Sequence, residues 1–251
     1  MSSVALSTRG LHKSFGSLIA AKDVTIELPR GERHALIGPN GAGKTTLVNL
    51  ITGMLKPDSG QIFLGQEEVT ALGPAERVRR GLARTFQVNT LFPRLSALEA
   101  VTLAVCQRRG CAGIWWHKLP FYREAIEEAH AILVSLRLGG SCYRPTHELA
   151  YGQQRLVEFA LALASKPAVL LLDEPAAGVA RAESAELLSA IASLSKAISV
   201  LFIEHDMDIV FRFASRVMVM VAGRILVEGT PREIAADKRV RDVYLGGAQG
   251  A

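Results

Sequence analysis

One run of eight residues constrains this 251-residue chain more than any other: Gly38-Pro39-Asn40-Gly41-Ala42-Gly43-Lys44-Thr45. It has the spacing G-x-x-x-x-G-K-[ST] and lies between an apolar segment, His34 to Ile37, that reads as a strand and a segment from about Lys44 to Gly53 that reads as a helix. Glycines let successive backbone N–H groups curl around an anion, and the positive end of the helix dipole reinforces the nest. Lys44 adds a positive charge suited to β- and γ-phosphates, and the Thr45 hydroxyl is a hard oxygen ligand for Mg²⁺. A glycine-rich turn beside a solvated lysine is the alternative; the strand before the run and the helix after it weigh against that.

A second constraint is Val169-Leu170-Leu171-Leu172-Asp173-Glu174. A short, fully apolar strand of this kind is buried on both faces of a parallel sheet. It delivers Asp173 to the carboxyl edge, where a carboxylate can hold Mg²⁺ through water, and Glu174 next in line can polarise an attacking water. Two solvated acids at a strand end are the plain alternative.

Around these motifs the chain alternates. Val4 to Arg9, Val24 to Leu28 and Gln61 to Leu64 read as strands, with turns at Pro29-Arg30-Gly31-Glu32 and Pro57-Asp58-Ser59-Gly60. After Gln87 the character becomes helical. Ser96-Ala97-Leu98-Glu99 is a capping box opening a helix through Val105, and a second amphipathic helix runs from about Tyr122 to Leu136. The stretch Arg109 to Pro120 is loop-like. The β/α pattern returns with a helix near Ala182 to Leu194, strand Ser199 to Ile203, a helix from Asp206, strand Val217 to Val221, and a helix opened by Thr230-Pro231-Arg232-Glu233. No internal repeat or low-complexity tract is present.

Composition removes other classes. Hydrophobic residues make up 49% and charged residues 21%, which excludes a disordered or collagen-like chain. The apolar runs are far shorter than the ~20 residues a bilayer span needs, and MSSVALSTRG lacks the apolar core of a secretory leader, so the reading is a protein of the cytosolic side. The net charge of +5 comes without any long basic block, which favours solvated surface charge over nucleic-acid binding. Cys106, Cys111 and Cys142 lack C-x-x-C spacing and read as reduced thiols, and His12, His34, His117, His130 and His147 share no metal-ligand spacing.

Taken in order, the motifs resemble those of the nucleotide-binding subunits of ATP-binding-cassette (ABC) transporters. Leu149-Ala150-Tyr151-Gly152-Gln153-Gln154-Arg155 looks like that family's signature; Thr85-Phe86-Gln87 resembles its glutamine segment; Glu204-His205-Asp206 resembles its switch-histidine segment; Phe15 matches its adenine-stacking aromatic. The resemblance covers nearly the whole chain and implies an α/β phosphate-loop ATPase core with an antiparallel β subdomain (1–88 and 166–251) and an inserted helical lobe (about 89–165). It implies ATP and Mg²⁺ as cofactors. Nucleotide contacts would come from Phe15, Gly38, Pro39, Asn40, Gly41, Ala42, Gly43, Lys44, Thr45, Thr46, Gln87, Tyr151, Gly152, Gln153, Asp173 and His205. Thr45, Gln87 and Asp173 would hold the metal, and Glu174, His205, Gln87 and Lys44 would act in catalysis. Two ATPase subunits, identical or related, would pack head to tail, each signature closing on the other's ATP, against transmembrane permease subunits and, indirectly, a solute-binding protein.

Two departures stand out. Ala150 replaces the usual signature serine, removing a hydroxyl, and Ala180 replaces an Asp or Asn that makes a polar contact across the dimer. Alanine in L-A-Y-G-Q-Q-R, together with Pro175-Ala176-Ala177-Gly178, Ile203-Glu204-His205-Asp206-Met207 and Val243-Tyr244-Leu245-Gly246, resembles the larger-loop ATPase subunit of branched-chain amino acid importers. The expected function is therefore ATP hydrolysis energising uptake of branched-chain or related amino acids at the cytoplasmic face of the inner membrane. Alternatives are a soluble ATPase of the same fold in DNA repair or translation, a poorly hydrolysing regulator, or an importer of amides, urea or aromatic acids. Trp115, Trp116 and Phe121, beside Lys118 and Arg123, suit either a permease or membrane contact or the filling of a gap under their own loop.

Overall fold

Period-two alternation builds the first sheet. In Leu18–Pro29 (β2), Val24, Ile26 and Leu28 are buried while Asp23, Thr25 and Glu27 face out. β2 pairs antiparallel with Val4–Phe15 (β1), which pairs on its other side with Ser59–Leu64 (β4), itself paired with Glu67–Glu68 (β5). Both long strands run further than their apolar halves suggest, because irregular pairing carries the hairpin on through Lys13 and Ser14 to the turn at Phe15 and Leu18. The computed structural model describes residues 4–85, 91–112, 122–179 and 181–246.

The second sheet has the strand order β10-β9-β3-β8-β7-β6. Arg33–Ile37 (β3), Val169–Asp173 (β7), Ser199–Ile203 (β8) and Arg216–Val221 (β9) run parallel, and Arg224–Gly229 (β10) turns back on β9 as an antiparallel hairpin. Leu82–Arg84 (β6) is the edge. Every residue of β7 and β8 is buried, as suits predominantly apolar strands inside a parallel sheet. Lys44–Thr52 (α1) follows β3 and packs Leu47, Val48, Leu50 and Ile51 into a core shared by the two sheets with Leu6, Ile26, Leu36, Ile62, Leu171 and Met218. The expected α/β core with an antiparallel subdomain is thus the observed architecture.

The chain divides into two units. The first takes 1–82, 168–174 and 195–251 and holds the strands other than Ala83 and Arg84 of β6, with α1, Pro74–Arg79 (α2), Met207–Phe213 (α7), Pro231–Ala236 (α8) and Lys238–Gly246 (α9). The second takes 83–167 and 175–194 and is helical: Ala97–Arg109 (α3), Arg123–Ser135 (α4), Tyr151–Ala164 (α5) and Arg181–Ala192 (α6). Relative to the sequence-based boundaries of 89 and 165, the helical unit also draws in 175–194. Within it Gly178, at φ 74°, lies against the Tyr151 ring, where an added Cβ would stand 3.4 Å from the ring.

Candidate nucleotide site

β3 is buried from His34 onward and hands the chain to Gly38 with no room for a side chain: an added Cβ would stand 2.1 Å from the Met220 carbonyl of β9. Gly43, at φ 104°, likewise brings the backbone against the Ala20 carbonyl of β2, again 2.1 Å from where a Cβ would be. Between them the loop curls, and Gly43 enters α1 without a side-chain cap. The first N–H groups of α1, which have no partner inside the helix, and the dipole behind them therefore form an anion-binding end.

Lys44 is buried and its ammonium donates to the Gly38 carbonyl at 2.7 Å and the Pro39 carbonyl at 2.9 Å. Two of its three protons are used in shaping the loop, leaving one donor for a phosphate oxygen. Burial pulls the Lys44 ammonium below its ordinary range, and the Glu174 and Asp173 carboxylates pull it back up. Thr45 is exposed at the loop and Thr46 half-buried beside it.

Asp173 ends β7 with 4% of its surface exposed. Glu174 follows in a left-handed conformation, φ 48°, unusual for a residue with a side chain, and its N–H donates to the Ile203 carbonyl at 3.0 Å. The Glu174 Oε1 lies 2.6 Å from His205 Nε2. His205 is not the cap of α7; that role falls to Asp206, whose carboxylate accepts the Asp208 and Ile209 N–H groups. Phe15 is 47% exposed at the tip of the β1–β2 hairpin, with the Lys13 ammonium 5.6 Å from its ring centre. Phe15, Asn40 to Thr46, Glu174 and His205 line one cleft of about 380 Å³. Residues from four separate stretches of sequence therefore face one space.

In the helical unit the signature-like segment opens α5. Ala150 stands at the N-cap in extended conformation and offers no side-chain hydrogen bond. Tyr151 is exposed and Gly152 buried in the first turn; Gln153 reaches Ser141 at 3.4 Å, and Gln154 Nε2 donates to the Leu149 carbonyl at 2.9 Å. The buried Arg155 pairs with Glu158 at 2.8 Å and lies over the Tyr151 ring. Gln87, Ala180, Trp115 and Trp116 lie outside the described residues.

Sequence reasoning missed two supports of the loop. The turn Ala222–Gly223, both at positive φ, joins β9 to β10, and the Gly223 N–H donates to the Ala42 carbonyl at 2.9 Å. Its signal was present, an Ala-Gly pair between apolar runs. The Tyr244 phenol oxygen in α9 accepts the Gly38 N–H, while burial pushes the phenol above its ordinary range. A lone tyrosine near a C-terminus carries no such signal. Oxygen donors from Thr45 and Asp173 suit Mg²⁺, and among the described residues no cluster of three or more His, Cys, Asp or Glu exists to hold a metal without phosphates.

A family model described as "ABC transporter" matches residues 21–177, and one described as "Branched-chain amino acid ATP-binding cassette transporter" matches residues 224–249. The chain is 38% identical to the high-affinity branched-chain amino acid transport ATP-binding protein BraF of Pseudomonas aeruginosa, and 38% identical to LivG of Escherichia coli, covering 99% of this chain and 100% of each relative. It is 36% identical to the lipopolysaccharide export system ATP-binding protein LptB of Acidithiobacillus ferridurans, over 96% of both chains. Among solved structures, the ADP conformation of MJ1267, an ATP-binding cassette of an ABC transporter, superposes with a TM-score of 0.85 at 33% identity, covering 97% of this chain and 99% of that one. The dimeric cassette MJ0796 shares the fold, with a TM-score of 0.75 at 24% identity.

Proposed function

The chain belongs to the ABC transporter family of ATP-binding proteins, and on that premise we propose that it is the ATP-hydrolysing subunit of an importer for branched-chain or similar amino acids. The convergence of the Gly38–Thr45 loop, Glu174 and His205 on one cleft is the observation that carries the hydrolytic part of this reading. The C-terminal match at 224–249 carries the choice of solute, because identity to amino acid and lipopolysaccharide systems differs by only 38% against 36%.

In this account the adenine stacks on Phe15 and the phosphates enter the Gly38–Thr46 cradle. Lys44 bridges the β- and γ-phosphates with its remaining donor. Thr45, Asp173 and Gln87 would hold Mg²⁺, which when bound offsets the charge that develops on the transferred phosphoryl group. Glu174 orients and polarises the attacking water. His205, within hydrogen-bond reach of Glu174, senses the γ-phosphate and holds that carboxylate on line. The uncapped start of α5, at Tyr151, Gly152 and Gln153, would present its positive end to the ATP held by a second ATPase subunit, identical or related. Binding of two ATP closes the pair, and hydrolysis reopens it against membrane-embedded permease subunits. Among the described residues no helix is long and apolar enough to cross a membrane, which suits a subunit docked at the membrane's inner face.

Two substitutions test the reading. Glu174→Gln keeps the shape of the side chain and removes its basicity; steady-state ATP hydrolysis should fall by about 100-fold or more with nucleotide affinity retained. Lys44→Ala should weaken binding of a fluorescent ATP analogue. Near-normal turnover in Glu174→Gln would remove Glu174 from this role.

A further inference from the structure

Helix α3 ends in a tight left-handed cap. Gly110 has φ 75°, the Cys111 N–H donates to the Cys106 carbonyl at 2.9 Å, and the Gly110 N–H donates to the Gln107 carbonyl at 3.3 Å. These are the six-to-one and five-to-two hydrogen bonds of the Schellman motif, in which the side chain two positions past the last helical residue folds back onto the one three positions before it. In most helices that contact is between apolar groups. Here cysteines hold both positions, and the Cys111 thiol is near enough to help raise the Cys106 thiol above its ordinary range.

The two thiols differ in access. Cys106 is 3% exposed and borders an apolar groove of about 460 Å³ lined also by Leu98, Leu103, Tyr122 and Ile126, whereas Cys111 is half-exposed. Burial and the neighbouring thiol raise Cys106 to about 11, so it is a poor first nucleophile at neutral pH. Cys142, the remaining cysteine, is fully buried.

We propose that Cys106 and Cys111 form a reversible dithiol–disulfide modification site, oxidised by hydroperoxides, that locks the end of α3 and one wall of the groove. The Cys111 thiolate attacks the outer oxygen of the hydroperoxide, breaking the O–O bond; the alcohol leaves after taking up a proton, and Cys111 becomes a sulfenic acid. The Cys106 sulfur then attacks the Cys111 sulfur, gives up its proton and expels the oxygen as water. Two thiols and one hydroperoxide thus yield one disulfide, one alcohol and one water. The cap keeps the second thiol in contact with the first, so closure outruns further oxidation, the arrangement of a sensing cysteine beside its resolving partner. In a reducing compartment such a bridge is transient, which suits a sensor rather than a staple.

The test uses the full, reduced chain treated with limiting tert-butyl hydroperoxide and then alkylated in denaturant. Cys106 and Cys111 should both be lost to alkylation while Cys142 remains reactive, and a thiol reductant should restore both. Because Arg108 and Arg109 lie between the two cysteines, trypsin should release two peptides joined by the bridge, separable on reduction. Cys106→Ala should yield no joined peptides and leave Cys111 as an oxyacid. Phenylarsine oxide, a dithiol trap needing no oxidation, should bind the wild-type chain one to one and protect both cysteines, which keeps the test independent of how the variant folds. Oxidation confined to Cys111 with Cys106 still alkylated, a bridge only between chains, or no arsenical binding would each overturn the proposal.

Discussion

His34 shows how one residue's surroundings set a measurable property. It sits in β3 with 1% of its surface exposed, and neither ring nitrogen has a hydrogen-bond partner among the described residues. Burial holds its protonation below the ordinary imidazole value of 6.5, although Glu228 and Glu32 favour the charged form and Arg216 opposes it. The folded state therefore takes up its proton at lower pH than the unfolded chain. The unfolded chain binds more protons as pH falls through about 6.5, so stability is lost on acidification, with a slope of up to about 1.4 kcal/mol per pH unit. Denaturant unfolding at several pH values should show this acid loss reduced in His34→Leu, with stability at pH 8 equal or higher because two unpaired buried nitrogens are gone. An unchanged pH dependence would contradict it. At this scale the sequence was informative where chemistry is contiguous: Lys44 and Glu174 were singled out from their local motifs and His205 from the order of motifs along the chain, and all three line one cleft. It was silent on His34, since burial depends on distant strands, and on Tyr244, whose partner Gly38 is remote in the chain.

Among elements, α1 stands out because both of its ends are specialised. Its N-terminus opens on the phosphate cradle, and its C-terminal carbonyls are met by the buried guanidinium of Arg77. That side chain donates to Leu50 and Ile51 at 2.7 Å each, to Leu72 at 3.0 Å and to Thr70 at 2.9 Å. A cation here complements the helix dipole and satisfies carbonyls that the helix cannot. Arg77→Met should cost about 3 kcal/mol or more by chemical denaturation, since it strands several buried acceptors. A loss under 1 kcal/mol would show that the cap matters little. At the start of α5 the reverse change is available: Ala150→Ser restores a capping hydroxyl and should raise stability by about 1 kcal/mol, read by the same unfolding measurement. Elements with strong end signals were legible in the sequence. The boxes at Ser96 and Thr230 close as expected, with Glu99 Oε2 accepting from the Ser96 N–H at 2.8 Å and Glu233 Oε2 from the Thr230 N–H at 2.7 Å. β5, β6 and α2 were not, because each is six residues or fewer and is fixed by its neighbours rather than by its own pattern.

For the whole molecule, the order of motifs along the chain conveyed more than any single one, because a phosphate loop alone names a nucleotide and not a machine. What the linear order could not convey is which body each helix joins: 175–194 groups with the helical unit through contacts such as Gly178 on Tyr151, which are distant in sequence. The central claim is that ATP in the Gly38–Thr45 cradle is completed by the signature segment of a second ATPase subunit. The most direct measurement is the structure of the Glu174→Gln protein, assembled with its companion subunit and trapped with ATP and Mg²⁺. The account predicts that the start of α5 in each subunit, at Gly152, hydrogen-bonds the γ-phosphate held by the other. Nucleotide bound in the cradle with residues 149–155 turned away from every γ-phosphate would contradict it.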